Sequence, residues 1–558
     1  MNSQIKLNEE VESTLDVSSP QGGFQGKDMF QSIQELVGSA MSQPETLYKH
    51  IQSFNDEYLK ILQGTSEIKP DRKDRRFTDP FWMESPYYRV TLQTYLSATR
   101  SISDWIEETQ EDKADKMRAE FLMTLLTEAA SPSNSILNPT VLKRLYETQG
   151  GSFATGMLQM AEDSLYGGGM PSSVDKGAFK VGENLATTEG AVVYRSERFE
   201  LIQYKPQTEK VLGTPVLNVP PQINKYYGLD LTPKNSLMSY MANNQVQGFT
   251  VSWRNPGAEH REWGFADYVL SAVEAIDVVR EICGSDSVNI FSSCAGAMTA
   301  ASAIAYLNAT GGADKVSALT LAAYVLDAEK SQGLLGLFAT KESSAMSKAG
   351  SAMKGYLDGE DMARIFSWLR PNDLVWSFFV NNYLCGNKPP AFDLLYWNSD
   401  TTRLPAQFHA DLIDIFADNL LANGQVEVNG VMIDLGKVTQ DAYVIAGATD
   451  HITPWKGVYH SSKVLGGKVH FVLSNSGHIQ SIINPPGNPK AQLFSSDEFP
   501  DDPDAWYKGS SETRDSWWGN WVNWLGEHST GLKPAPESLG SKKYGVIEAA
   551  PGSYVQEK

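Results

Sequence analysis

Residues 287–307, SVNIFSSCAGAMTAASAIAYL, run from a short apolar strand into an Ala-crowded helix with almost no connecting loop. Such a junction leaves few folds open. Strand and helix backbones approach so closely that small residues must flank the bend, and Ser292, Ala295, Gly296 and Ala297 supply them. The residue at the apex, Cys294, is thereby aimed out from the open end of a sheet. The stretch before it supplies a crossover: GFTVSWRNP (248–256) reads as a strand, and Tyr268, Ala272, Ile276 and Val279 share one face of the helix that follows. Strand, helix and strand at this spacing imply a parallel sheet.

Further strands are expected on both sides. AVVYRSE (191–197) and FELIQYKP (199–206) read as a pair, and PVLNVP (215–220) as a short apolar strand. ALTLAAYVL (318–326), DAYVIAGATD (441–450) and VHFVLSNSGH (469–478), the last strand expected, continue the sheet. Between 327 and 440 lies an insertion rich in Trp, Phe and Leu, including GLLGLFA, FSWLRPNDLVWSFFVNNYL and FDLLYWNSD. A segment that long and that aromatic should fold as a lid over the ligand edge of the sheet. The chain ends on a Trp-rich stretch with Trp517, Trp518, Trp521 and Trp524.

The first part of the chain reads differently. Residues 1–28 have few apolar positions and are expected to be loose, and 29–185 form a mainly helical domain ahead of a catalytic domain at 186–558. Ser42, Pro44 and Glu45 resemble a capping box opening onto Leu47, Ile51, Phe54, Tyr58 and Ile61, with Gly64 as the stop. Asn138 before Pro139 marks another helix start. The run Gly167, Gly168 and Gly169 reads as a connector.

The chemistry converges on Cys294. A thiol at a helix N-terminus has its anion favoured by the helix dipole, and the Ala295 N–H is placed to donate to an oxyanion. A buried structural cysteine is the bland alternative, and partners decide between the two. Asp450 and His478 each follow an expected strand, so both fall on the catalytic edge, in the order nucleophile, acid, histidine. His451 beside Asp450 should point away from it, because adjacent side chains on extended backbone diverge. His409, His460 and His470 have no defensible partner spacing; Cys283 and Cys385 read as packing. No His or Cys pair offers a metal site, and no glycine loop of phosphate-binding kind occurs.

Composition excludes several alternatives. A formal charge of −20 argues against nucleic-acid binding, which needs a basic surface. Three cysteines are too few for a disulfide scaffold and fit a reducing compartment. The N-terminal residues lack the layout of a secretory signal and no apolar run reaches the length of a membrane span, so a cytoplasmic protein without a transmembrane segment is expected.

At the level of motifs the chain resembles polyhydroxyalkanoate synthases. The likeness rests on VPPQINKYYGLDLTPKNSL (219–237), TVSWRNP (250–256), LRPNDLVWSFFVNNYL (369–384), FDLLYWNSDTTRLP (392–405), DHITPW (450–455) and SGHIQSIINPPGNPKA (476–491), and extends from about residue 72 to about 525. The tract 168–206 is most similar to the single-subunit, pseudomonad-type enzymes called class II, which favour medium-length side chains.

The resemblance implies an α/β-hydrolase core with a lid, and a reaction on (R)-3-hydroxyacyl-CoA. Cys294 would carry the acyl chain, His478 would move protons and Asp450 would orient His478. It further implies no cofactor beyond the coenzyme A carried and released by the substrate. Partners would be the growing polyester, a second copy of the chain and proteins of the granule surface, where the enzyme would work. By fold analogy the second oxyanion donor comes from the loop near Gln222, with Ile223 as the candidate amide. Alignment puts Tyr324 and Gln480 in the acyl pocket, where a bulky Tyr324 would favour shorter side chains.

One departure stands out: the family's usual Gly-x-Cys-x-Gly-Gly is Ser292, Ser293, Cys294, Ala295, Gly296, Ala297 here, and added Cβ atoms would shift geometry and rate. Two other readings stay open. An esterase or depolymerase on the same fold would release free hydroxy acid, and a catalytically impaired granule protein would only bind.

Overall fold

In the computed structural model, which describes residue 38 and residues 41–331 and 341–558, eleven strands form one sheet. They are β1 (Gly190–Arg195), β2 (Phe199–Tyr204), β3 (Val216–Val219), β4 (Gly248–Trp253), β5 (Val288–Ser293), β6 (Val316–Ala322), β7 (Asp441–Gly447), β8 (Val469–Ser474), β9 (Leu493–Ser495), β10 (Ser511–Thr513) and β11 (Glu548–Ala549). Their spatial order is β10-β9-β8-β7-β6-β5-β3-β4-β2-β1-β11. Six central strands, β4, β3, β5, β6, β7 and β8, run parallel, and antiparallel strands close both edges. All eight strands expected from the apolar runs are present. VHFVLSNSGH is not the last of them: β9, β10 and β11 follow, each two or three residues long. Edge strands that short bury too little to leave an alternating pattern.

The central strands are buried on both faces, as parallel strands covered by helices must be. On one side helix Phe265–Cys283 buries Tyr268, Ala272, Ile276 and Val279, the face expected from its periodicity, and packs on helix Gly296–Ala309. Elsewhere in the core, helix Trp517–Glu527 buries Trp517, Trp518 and Trp521. Trp521 stands edge-on to Phe291 of β5, centroids 5.5 Å apart, and its indole N–H donates to Thr320 Oγ1 of β6 at 2.9 Å.

Contacts divide the chain into two compact units. One holds the sheet: residues 177–331, 344–360 and 393–558. The other comprises residues 41–176 with 341–343 and 361–392, so part of the aromatic insertion belongs with the N-terminal helices. The reason is visible at Gly156 in helix Gly151–Tyr166. A Cβ there would lie 1.9 Å from the carbonyl oxygen of Tyr383, so helix and insertion meet backbone to backbone. Beside that contact the Tyr383 hydroxyl donates to Asp163 Oδ2 at 2.8 Å.

Helix Pro44–Gln63 ends at Gly64, which is left-handed (φ 74°) as a stop requires. Its start differs from the expected capping box. Gln43 is the N-cap residue and makes no side-chain cap; its amide oxygen instead accepts from the Gln110 N–H at 3.1 Å. Ile61 of the expected apolar face is buried, whereas Ile51 and Tyr58 are exposed. Asn138 caps helix Pro139–Glu147 as expected, accepting from the Thr140 N–H. The expected loose N-terminus (1–28) and the GLLGLFA stretch fall outside the described residues.

Candidate active site

Strand β5 ends at Ser293, and Cys294 makes the turn with φ 50°, a left-handed backbone that costs an L-residue about 1–3 kcal/mol. The surroundings hold it there. The Cys294 N–H donates to the Ala322 carbonyl at the end of β6 (3.0 Å), and its carbonyl accepts from the Ala297 N–H (3.1 Å). Gly296 is required two residues on: a Cβ would come within 2.7 Å of Pro221 N and 2.8 Å of both Pro220 C and Val219 O, all backbone.

The unusual Ser292 fits for a different reason. Fully buried, its hydroxyl donates to the Val219 carbonyl at 2.6 Å, tying β5 to the end of β3. Ala297 is likewise fully buried. The elbow survives both departures from the family pattern.

Asp450 and His478 follow β7 and β8, and the parallel pairing of those strands brings the two loops to one edge. Asp450 Oδ2 accepts from His478 Nδ1 at 2.7 Å. The same oxygen accepts from the Thr453 hydroxyl at 2.7 Å, while Oδ1 accepts the N–H groups of Ile452 (2.9 Å) and Thr453 (3.0 Å). Burial works to raise the Asp450 carboxyl, but the bonds from His478 and Thr453 hold it below the ordinary aspartate value. For His478 burial works to lower the imidazole. Its hydrogen bonds to Asp450 and to the Cys294 sulfur, with both charges, overcome this and push it up to about 10. The ring's Nδ1 is thus committed to Asp450.

The ring is supported from behind. His478 opens the short helix His478–Ile482, and the indole N–H groups of Trp517 and Trp518 donate to the Ser481 and Ile482 carbonyls at 2.7 and 3.3 Å. The Trp-rich C-terminal stretch thus holds the turn that carries the histidine.

The other candidates separate clearly. Ala295 is the N-cap residue of helix Gly296–Ala309, and amides at a helix start have no partner within the helix. The loop bearing Gln222 and Ile223 follows Pro220 and Pro221, the residues in close approach to Gly296. The Gln222 amide donates to Thr299 Oγ1 at 3.1 Å, and the carbonyls of Gln222 and Ile223 both accept from the Thr402 hydroxyl, at 2.8 and 2.7 Å. Tyr324 is fully buried, its hydroxyl 2.8 Å from Ser462 Oγ, and Gln480 is exposed. His409 is buried 2.9 Å from Ser351 Oγ, and burial lowers it to about 4. Burial also pushes the Cys283 thiol up to about 12 and raises Cys385, which disfavours the thiolate at both.

Sequence reasoning missed Thr453 and Thr402. Thr453 had a local signal, since an Asp followed three residues later by Thr closes a side-chain turn. Thr402 had none.

A cysteine, histidine and aspartate relay at the carboxyl edge of a parallel sheet defines an acyl-transfer enzyme of the α/β-hydrolase fold. The family model described as "alpha/beta hydrolase fold" matches residues 223–485, and the one described as "Poly-beta-hydroxybutyrate polymerase (PhaC) N-terminus" matches 73–241. Poly(3-hydroxyalkanoate) polymerase 1 of Ectopseudomonas oleovorans is 46% identical over 98% of both chains, and polymerase 2 of that organism 43% over 97% of both. The poly(3-hydroxyalkanoate) polymerase subunit PhaC of Cupriavidus necator is 36% identical over 91% of this chain and 87% of its own. The chain belongs to the poly(3-hydroxyalkanoate) polymerases, and the likeness to the pseudomonad type stands. Among the described residues no helix is long and apolar enough to cross a membrane.

Proposed function

We propose that this enzyme polymerises (R)-3-hydroxyacyl units delivered on coenzyme A, holding the acyl group on Cys294. The observation that carries the reading is the 2.7 Å hydrogen bond between Asp450 and His478 at the sheet edge where the bend at Cys294 also lies, in a chain of this family. The sulfur attacks the thioester carbonyl, a new S–C bond forms and the bond to the coenzyme A sulfur breaks. His478 takes the thiol proton as the sulfur attacks and gives it to the departing coenzyme A. The N–H groups of Ala295 and Ile223 stabilise the oxyanion between the two events. In the second half His478 takes the proton of the next unit's 3-hydroxyl as that oxygen attacks the acyl-cysteine. An ester bond forms and the thiol is regenerated.

Exchange of one thioester for another neither oxidises nor reduces anything, so no cofactor is needed beyond the coenzyme A that the substrate brings. Medium-length side chains, a homodimer and work at the surface of a cytoplasmic polyester granule complete the proposal, on the strength of the pseudomonad-type resemblance. The test is incubation of the purified enzyme with (R)-3-hydroxyoctanoyl-CoA. Release of coenzyme A with insoluble polyester is expected, and Cys294→Ala should give neither. Free 3-hydroxy acid as the sole acyl product would replace this reading with hydrolysis.

A further inference from the structure

The loop that follows β3 must present an amide to the oxyanion, yet its residues lie in no strand or helix that would fix the direction of a peptide. What fixes it is a set of side chains reaching in from far along the sequence. The Trp253 indole N–H donates to the Pro220 carbonyl at 2.8 Å, and the Trp397 indole N–H to the Lys225 carbonyl at 2.7 Å. Between these anchors Thr402 Oγ1 stands 2.8 Å from the Gln222 carbonyl and 2.7 Å from the Ile223 carbonyl, one hydroxyl proton serving two successive peptides. Thr402 is itself fixed. It is buried, Thr401 forms an isolated antiparallel bridge with Asn224, and a Cβ on Gly359 would come within 2.3 Å of the Thr402 carbonyl oxygen.

Peptide planarity turns this contact into a statement about the amide. In a trans peptide the carbonyl of one residue and the N–H of the next point in opposite directions. Holding the Gln222 carbonyl on Thr402 therefore directs the Ile223 N–H away from Thr402. A flip of that peptide would aim the carbonyl where the donor must be, replacing attraction for an oxyanion with repulsion.

We propose that Thr402 is a positioning residue for acyl transfer: its hydroxyl locks the Gln222–Ile223 peptide in the one orientation that leaves the Ile223 N–H available to the oxyanion. The proposal rests on the acyl-transfer reading of the Cys294 site. It reaches beyond that reading by making a residue of the insertion set the state of the oxyanion loop.

Thr402→Val keeps the shape and deletes the hydroxyl, and Thr402→Ser keeps the hydroxyl. Two reactions of Cys294 separate positioning from general damage. Acylation by p-nitrophenyl butyrate forms a tetrahedral oxyanion and releases nitrophenol, whereas alkylation by iodoacetamide displaces iodide without one. Both are followed on the Cys294 peptide by mass. The expected result for Thr402→Val is acylation and kcat for coenzyme A release lowered about tenfold to a hundredfold, with KM and the alkylation rate nearly unchanged. Thr402→Ser should restore most of the acylation rate. Acylation by Thr402→Val at the wild-type rate, an equal fall in alkylation, or a serine variant as slow as the valine would each overturn the proposal. The nitrophenyl ester keeps this test independent of the polymer: a wild type that acylates but releases no coenzyme A would count against the polymerase reading alone.

Discussion

Replacing Asp450 by Asn tests the relay where its geometry is most constraining. Oδ1 accepts two backbone N–H groups, from Ile452 and Thr453, so an asparagine must put its oxygen there. Its NH2 then occupies the place of Oδ2, facing His478 Nδ1. Nδ1 is forced to accept, the ring proton moves to Nε2, and that nitrogen can no longer take a proton from the Cys294 thiol. Charge loss alone sets a lower bound. Raising an imidazole from 6.5 to about 10 corresponds to about 5 kcal/mol in favour of its protonated form. Loss of the carboxylate, one of the two partners that raise the ring, should cost on the order of 2 kcal/mol, or roughly 30-fold in rate. The wrong tautomer extends the loss toward about 10⁴-fold. The assay is coenzyme A release under saturating substrate, with KM nearly unchanged because Asp450 lies buried behind the ring. Stability gives a second readout. Because His478 is raised on folding, its pairing stabilises the protein fully below about pH 6.5 and the contribution is lost as pH climbs through about 10. Wild type should therefore lose melting temperature between pH 7 and 10 that Asp450→Asn does not lose. Activity of the variant within about threefold of wild type, or a loss confined to KM, would refute the reasoning.

Gly296→Ala forces a Cβ to within 2.7 Å of Pro221 N, and the cost should be about 1–3 kcal/mol of stability with slower coenzyme A release, since the strained contact joins the Cys294 helix to the oxyanion loop. An unchanged melting temperature would show that the loop yields freely. Ser292→Gly restores the family pattern but deprives the Val219 carbonyl of its 2.6 Å donor; a loss of about 1–2 kcal/mol in stability with kcat nearly unchanged is expected. A tenfold gain in kcat would instead mean that the serine slows catalysis.

The placing of Cys294, Asp450 and His478 is legible in the sequence because each sits where local signals are strong. Cys294 follows an apolar strand and precedes an Ala-rich helix, while Asp450 and His478 end β-branched runs, and strand direction alone sends all three to one edge. The expected roles of Tyr324 and Gln480 had no such support, since alignment says nothing of where a side chain turns. Tyr324 bonds Ser462 and Gln480 faces solvent.

The amino-acid order by itself therefore determined the parallel sheet, the bend at Cys294 and the placing of Asp450 and His478 just after successive strands, all of which follow from periodicity and turn chemistry within a few residues. Tertiary structure alone decided that 361–392 pack with the N-terminal helices, that tryptophans support the His478 turn and that Thr402 grips the loop after β3. Those contacts join side chains to backbone groups distant along the chain. A single hydroxyl or indole N–H, matched to a carbonyl by three-dimensional position alone, leaves no period, cap or turn motif in the residues around it.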